Sequence, residues 1–208
     1  MSRNGSSLFT GDAGSGESNA RRYMIENDLV EAIIALPEKM FYNTGIGTFI
    51  WVLSNRKEER RKGKIQLIDA TAIKTPLRKN MGEKNCELSP AQRQEIVRIF
   101  MAFEESEVSR IFPNSEFGYW KVSVQQPLLD EQGNPALDKK GRIQPDKAKA
   151  DTEIIPFRYE GGIEAFMDAE VRPYAPGAYI DPKATKIGYE LSFTKYFTSL
   201  CSFAPCRR

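Results

Sequence analysis

The 208-residue sequence contains no histidine, which removes the commonest general base. Ser/His/Asp and Cys/His nucleophilic machinery is therefore closed to this chain acting alone. Its three cysteines, Cys86, Cys201 and Cys206, form no CxxC pair, so the usual soft-ligand metal sites cannot be assembled. No G-x-G-x-x-G follows a strand-like run and no P-loop lysine motif occurs, so nothing visible would cradle a nucleotide-like cofactor. Acidic residues are plentiful but scattered. What remains is basic and aromatic. Arg56, Lys57, Arg60, Arg61 and Lys62 could touch phosphates, an interaction that is salt-dependent and blind to sequence. Glu58 and Glu59 interrupt them, and a solvated connector is the favoured reading. Tyr119 and Trp120 could form a base-stacking platform, yet their alternation with Val122 and Val124 favours core packing.

The bulk properties set limits on any such chemistry. Hydrophobic residues make up 40% and charged residues 28%, close to soluble globular averages, so wholesale disorder is not expected. Thirty Lys and Arg against 28 Asp and Glu give a net charge of +2, far below what a chain that wraps DNA by itself carries. Any nucleic-acid contact is therefore local or shared with a partner. No apolar run approaches the roughly 18 residues of a membrane span, and no signal core follows the N-terminus. The expected location is cytoplasmic.

The elements that must position these residues are legible in outline. Residues 4 to 19 are dense in Gly, Ser and Asn and read as a loop leading into a helix over 17 to 28, capped by Ser15 or Ser18. The runs VEAIIAL (30 to 36) and TFIWVLS (48 to 54) are short, apolar and β-branched, with breakers on either side, which favours buried strands. Phe49 and Trp51 fall inside the second and read as core. A third strand is expected over 64 to 70, after the charged run at 55 to 63. Polar turn material follows to Ser89, where an N-cap and Pro90 open the clearest helix of the chain. A strand begins near Tyr119, residues 130 to 151 read as an exposed excursion, and a weak helix covers 161 to 170. No internal repeat and no heptad pattern are apparent.

The block from Asn4 to Asn55, with its tract LVEAIIALPEKMFYNTGIGTFIWVLSN, resembles the modification subunit of type I restriction-modification systems, an N6-adenine DNA methyltransferase family. The likeness continues through IDATAI, LSPAQRQEIVRIF, FGYWKVSVQQPL, DTEIIPF and VRPYAPGAYIDPKATKIGYELSFTKYF, in order, up to Phe197. It implies an α/β fold: the C-terminal part of a Rossmann-like sheet that uses S-adenosylmethionine, in which residues 30 to 36 and 48 to 54 form an antiparallel pair, followed by a smaller α+β segment. Three parts are expected: residues 1 to 70, the end of the methylase domain; 71 to 197, a C-terminal segment of the subunit; and 198 to 208, an atypical tail whose Cys201 and Cys206 are incidental.

The resemblance also implies where substrate would be touched. An enzyme acting on adenine N6 takes the base out of the duplex and offsets the unstacking on an aromatic surface. In related adenine methylases a late-motif aromatic serves this purpose, and Phe41 matches it, with Tyr42 as the neighbour that could be confused with it. The alternative is that both merely close a strand end. The family's S-adenosylmethionine loop and Asn-Pro-Pro-aromatic motif match nothing in this sequence. The chain is therefore expected to hold no catalytic or cofactor-binding residue and to be inactive alone, with a bare sheet edge and apolar face that make it partner-dependent. Expected partners are DNA, the specificity and restriction subunits, and a separately encoded N-terminal half. The alternative is a non-catalytic interaction module that binds a specificity subunit or a separately encoded N-terminal half.

Overall fold

The computed structural model describes residues 2–4, 8, 10–42, 45–138 and 140–197. The tail from residue 198, with Cys201 and Cys206, lies outside them. The architecture is mixed α/β, as expected. The chain divides into two compact units: residues 1–10, 23–114 and 191–208, and residues 11–22 with 115–190. This is a division by packing and falls at 114/115. The expected break at residue 70 concerns family segments and is not the same boundary.

The first unit is built on a five-stranded sheet of order β1-β3-β2-β4-β7. Its strands are β1 (Ser2–Asn4), β2 (Val30–Leu36), β3 (Thr48–Leu53), β4 (Lys64–Asp69) and β7 (Ser109–Pro113). β2 and β3 are antiparallel, pairing Ile34 with Ile50 and Leu36 with Thr48. β4 runs parallel to β2, with Ala35 opposite Asp69. The two strands the sequence left out are the outer ones: β1 pairs Thr48–Ile50 of β3, and β7 lies antiparallel to β4. The edge expected to be bare is thus paired over part of its length. β7, SRIFP, was hidden because only Ile111 and Phe112 are apolar, a run too short to register as periodic.

Helix α1 (Gly16–Glu26) begins where expected, with Ser15 Oγ accepting from Ser18 N at 3.4 Å. Helix α2 (Pro90–Ala102) opens with a full capping box: the Ser89 side chain accepts from Gln92 N, and Gln92 Oε1 accepts from Ser89 N. Its inner face sends Ile96 onto Ile34, Leu36, Ile68 and Ala70 of the sheet, with Ile99, Phe100 and Val52 around them. Between β4 and α2, where turn material was expected, lies a hairpin, β5 (Thr75–Met81) and β6 (Lys84–Glu87). Its strands are mostly exposed and polar, so no alternation of apolar residues announces them.

The second unit centres on β8 (Gly118–Gln125). One edge of β8 pairs with β9 (Asp151–Pro156), the other with β10 (Tyr179–Ile180) and β11 (Lys186–Tyr189). Val122, Val124 and Ile155 are buried with Met167, packed by Trp120, Tyr159 and Phe166. The weak helix at 161 to 170 appears as α3 (Gly162–Phe166) continued by a π-helical turn, Met167–Val171. The final short helix α4 (Phe193–Phe197) belongs to the first unit.

The exposed excursion is more ordered than its composition suggests, and it contains a repeat. Asp130 Oδ1 accepts from Gln132 N and Asn134 N, both at 2.9 Å, with Gly133 at φ +81. Eight residues on, Asp138 Oδ1 accepts from Lys140 N and Arg142 N at 2.7 and 2.9 Å, with Gly141 at φ +74. The two turns share the same Asp side-chain bonds and left-handed glycine. The expectation of no internal repeat is corrected at this scale: the unit is one turn, and only the Asp and Gly that its hydrogen bonds require are kept.

Candidate nucleic-acid interface

The loop between β2 and β3 lies at the carboxyl end of β2, where α/β sheets present their loops to ligands. Pro37 stops β2, and Lys39 is held at φ +55, a left-handed conformation that costs energy in a residue with a Cβ. What pins this turn is the hairpin. Asn85 N donates to Lys39 O at 3.0 Å and the buried Cys86 Sγ to Glu38 O at 3.3 Å. Farther along, Tyr42 Oη lies 3.5 Å from Met81 Sδ, and Lys84 Nζ sits 5.1 Å from the centroid of the Tyr42 ring. Loop and hairpin therefore form one lobe.

Phe41 and Tyr42, adjacent in the sequence, differ in their surroundings. Tyr42 is engaged by Lys84 and Met81 although 57% exposed. Phe41 is 40% exposed and has no ring, cation or hydrogen-bond partner among the described residues. Ile46, on the returning limb of the loop, is 53% exposed and Met81, on the hairpin, 51%. Trp51 is buried as expected, and Phe49 packs edge-to-face on Phe193 with centroids 5.2 Å apart.

On the sheet side of the loop is a cleft of about 350 Å³ at the carboxyl ends of β2 and β4. Phe49, Phe193 and Phe197 line it, with Glu38, Asp69 and Thr71 as its polar residues. Phe193 and Phe197 stack at 5.0 Å. Asp69 Oδ1 already accepts from Thr71 N and Thr71 Oγ1, at 3.0 and 2.6 Å, which fixes the carboxylate at the strand end. Such a recess suits a flat ring that offers N–H donors. Phe41 and Tyr42 do not line it. The sequence did not single out this cleft, although an acid closing a buried strand, as in LIDAT, is a usable signal.

The basic run at 55 to 63 is exposed as expected except at Lys57 and Arg61, which are buried and committed to the fold. Arg61 is 2% exposed and lies over the rings of Phe100 and Phe103, with its carbon 4.2 and 4.3 Å from their centroids. It donates to Phe100 O and to Gln66 Oε1. Arg60 donates to Met101 O and Ala102 O, at 2.8 and 3.1 Å, and Gln66 Nε2 to Ile99 O at 3.1 Å. The last four carbonyls of α2, which no helix can satisfy internally, are thus all capped by this run and by Gln66. Burial lowers the pKa of the Arg61 guanidinium, against which the Glu31 charge is the largest opposing influence. Lys57 donates to Asp28 at 2.6 Å and to Lys64 O at 2.8 Å. Burial alone would raise the Asp28 carboxyl; hydrogen bonds from Lys57, Gly63 and Asn114 outweigh it and leave it below its ordinary 3.8.

In the second unit, Tyr119 and Trp120 pack as expected. Trp120 lies 4.4 Å from Phe157, and Tyr119 covers Gly188, where a Cβ would fall 2.2 Å from the tyrosine ring.

Residues 4–123 match the family model described as N-6 DNA Methylase. This chain belongs to that family. Its relatives include two methylase subunits of Methanocaldococcus jannaschii type I restriction enzymes. MjaVII is 47% identical over 58 residues, 28% of this chain and 10% of that subunit; MjaIX is 33% identical over 112 residues, 54% and 19%. Among solved structures, the type I restriction-modification methyltransferase subunit of Streptococcus thermophilus aligns over 55% of this chain and 22% of its own, at 21% identity and a TM-score of 0.46. The matches span at most about a fifth of the length of these curated relatives.

S-adenosylmethionine, the donor implied for this family, does not fit the described residues. The glycine-rich turn before α1 is the one stretch with a suitable composition. Its Asp12 carboxylate is taken by Lys121 and Ala13 N, Ser15 N donates to Asp12 O, and Ser15 Oγ fills the space beside Gly11. Glu17 adds a negative charge to the first helical turn. No step through the donor is derived from these residues.

Proposed function

We propose that this chain supplies the target-base side of a type I adenine-N6 DNA methyltransferase, with the methyl donor held by another segment or polypeptide. The observation that carries this is the coincidence of the family match with the antiparallel β2–β3 pair, whose connecting loop leaves Phe41 exposed and uncommitted. Extruding a base costs a few kcal/mol, and stacking on an aromatic ring returns about 1–3 kcal/mol. Phe41 is the ring that stacks on the extruded adenine; Tyr42, held by the hairpin, anchors the loop that carries it. In this reading residues 1 to 70 complete a methylase domain, and residues 71 to 197 serve assembly with the specificity and restriction subunits, in the cytoplasm where the DNA is.

The test is co-expression with a polypeptide that carries the glycine-rich donor loop and the Asn-Pro-Pro-aromatic motif. Transfer of tritiated methyl from S-adenosylmethionine to DNA is then followed, with N6-methyladenine identified after digestion. The complex is expected to methylate and the chain alone not to; Phe41→Ala is expected to lower turnover by about tenfold or more, the equivalent of 1.4 kcal/mol of lost stacking. Methylation by the purified chain unaided would sink the proposed division of labour.

A further inference from the structure

We propose that the hairpin β5–β6 is a phosphate-binding arm that grips the DNA backbone beside the Phe41 loop. This rests on the reading of that loop as the side that meets DNA. The hairpin is asymmetric. Its strands pair at Pro76–Cys86 and next at Met81–Lys84, so β5 advances five residues while β6 covers two. The surplus forms an exposed bulge, and bulges re-aim side chains out of the ladder. Two adjacent residues of that bulge, Arg78 and Lys79, are exposed cations, and neither meets a carboxylate within ion-pair distance among the described residues. Lys57, Arg60 and Arg61, by contrast, are each paired or cap a helix.

The hairpin that carries the bulge is joined to the loop: Asn85, Cys86, Met81 and Lys84 meet Lys39, Glu38 and Tyr42, which puts Arg78 and Lys79 on the same lobe as Phe41. Paired cations beside an exposed aromatic are the two components of a nucleic-acid surface: charge neutralisation for the backbone, stacking for a base. The chain's net charge of only +2 makes such local concentration the route open to it.

The experiment measures binding of the full chain to fluorescein-labelled duplexes of two unrelated sequences, by anisotropy, across a sodium chloride series. Arg78→Ala/Lys79→Ala is expected to reduce the slope of log affinity against log salt by about 1.8, or 0.9 per phosphate lost, equally for both duplexes. Arg93→Ala/Arg98→Ala, which removes the same charge from the exposed side of α2, is expected to leave the slope unchanged. An unchanged slope in the hairpin variant, an equal loss in the α2 variant, or no binding by the wild-type chain at low salt overturns the proposal. So does competition by polyglutamate as strong as by unlabelled DNA, which would mark a general polyanion surface. Phe41→Ala separates the two readings: it removes no charge and keeps the slope. A reduced slope in the hairpin variant without methylation by any assembled complex keeps the arm and discards the methyltransferase reading; methylation with an unchanged slope does the reverse.

Discussion

Two stretches of the first unit contain neighbouring cations that have opposite fates. The run from Asn55 to Gly63 holds five Lys and Arg in nine residues and the hairpin from Thr75 to Glu87 three in thirteen, each stretch with two glutamates. In the first, Lys57 and Arg61 are buried and Arg60 caps a helix; in the second, Arg78 and Lys79 point to solvent from a bulge with no anionic partner among the described residues. The difference lies in what each stretch passes. The run crosses the C-terminus of α2, where four carbonyls demand donors and the helix dipole favours cations. The hairpin passes no such acceptor. Charge density in a sequence therefore says little about function until the acceptors near it are known.

The contrast can be broken by mutation. Arg61→Ala carries the largest expected effect: it leaves Phe100 O and Gln66 without a donor and removes the cation from two rings, a loss of about 3 kcal/mol readable as a lower urea midpoint. A midpoint that does not move would mean the guanidinium is no more than a bystander.

Lys57→Met is next, at about 1–3 kcal/mol near neutral pH, because it strips the buried cation from Asp28. Its signature is pH dependence. The folded Asp28 carboxyl lies below its ordinary 3.8, so the pair's stabilisation is fully present above that value and is lost as pH falls through the lower folded value. In the variant the folded value rises, and the acid-side loss of stability should shrink. Urea titrations at neutral pH and below pH 4 decide it; parallel curves for the two proteins would refute the assignment.

Arg60→Ala should cost less, about 0.5–1 kcal/mol, since half of its side chain is in water and it offers only two cap bonds. Smallest of all, Arg78→Ala/Lys79→Ala should leave the urea midpoint where it is, while weakening DNA binding. A destabilised hairpin variant would show that the bulge is structural after all and erase the contrast.

How much of this could be read without coordinates varies by element. The strands at 30–36, 48–53 and 64–69 and the helix from Pro90 were legible because each announces itself locally, by apolar runs between breakers or by Ser89 and Pro90 at a helix start. The hairpin and β7 were not, since their residues are polar and their pairing partners supply the order; of the stretch from Asp130 to Asp151 two turns were legible, but not the hydrogen bonds that make them alike. Phe41 was preferred to Tyr42 through the family resemblance alone; their different surroundings were not legible in the sequence.

The sequence by itself determined the family, the antiparallel β2–β3 pair and the loop with its two aromatics, because these rest on short-range pattern and on an ordered series of motifs. Tertiary structure alone decided which cations are spent on helix carbonyls and which stay exposed. It also decided which of two adjacent aromatics is tied down, and where a carboxylate meets an aromatic cleft. Donor and acceptor here lie some 40 residues apart, as with Arg61 and Phe100, and no local rule of composition or periodicity spans that distance.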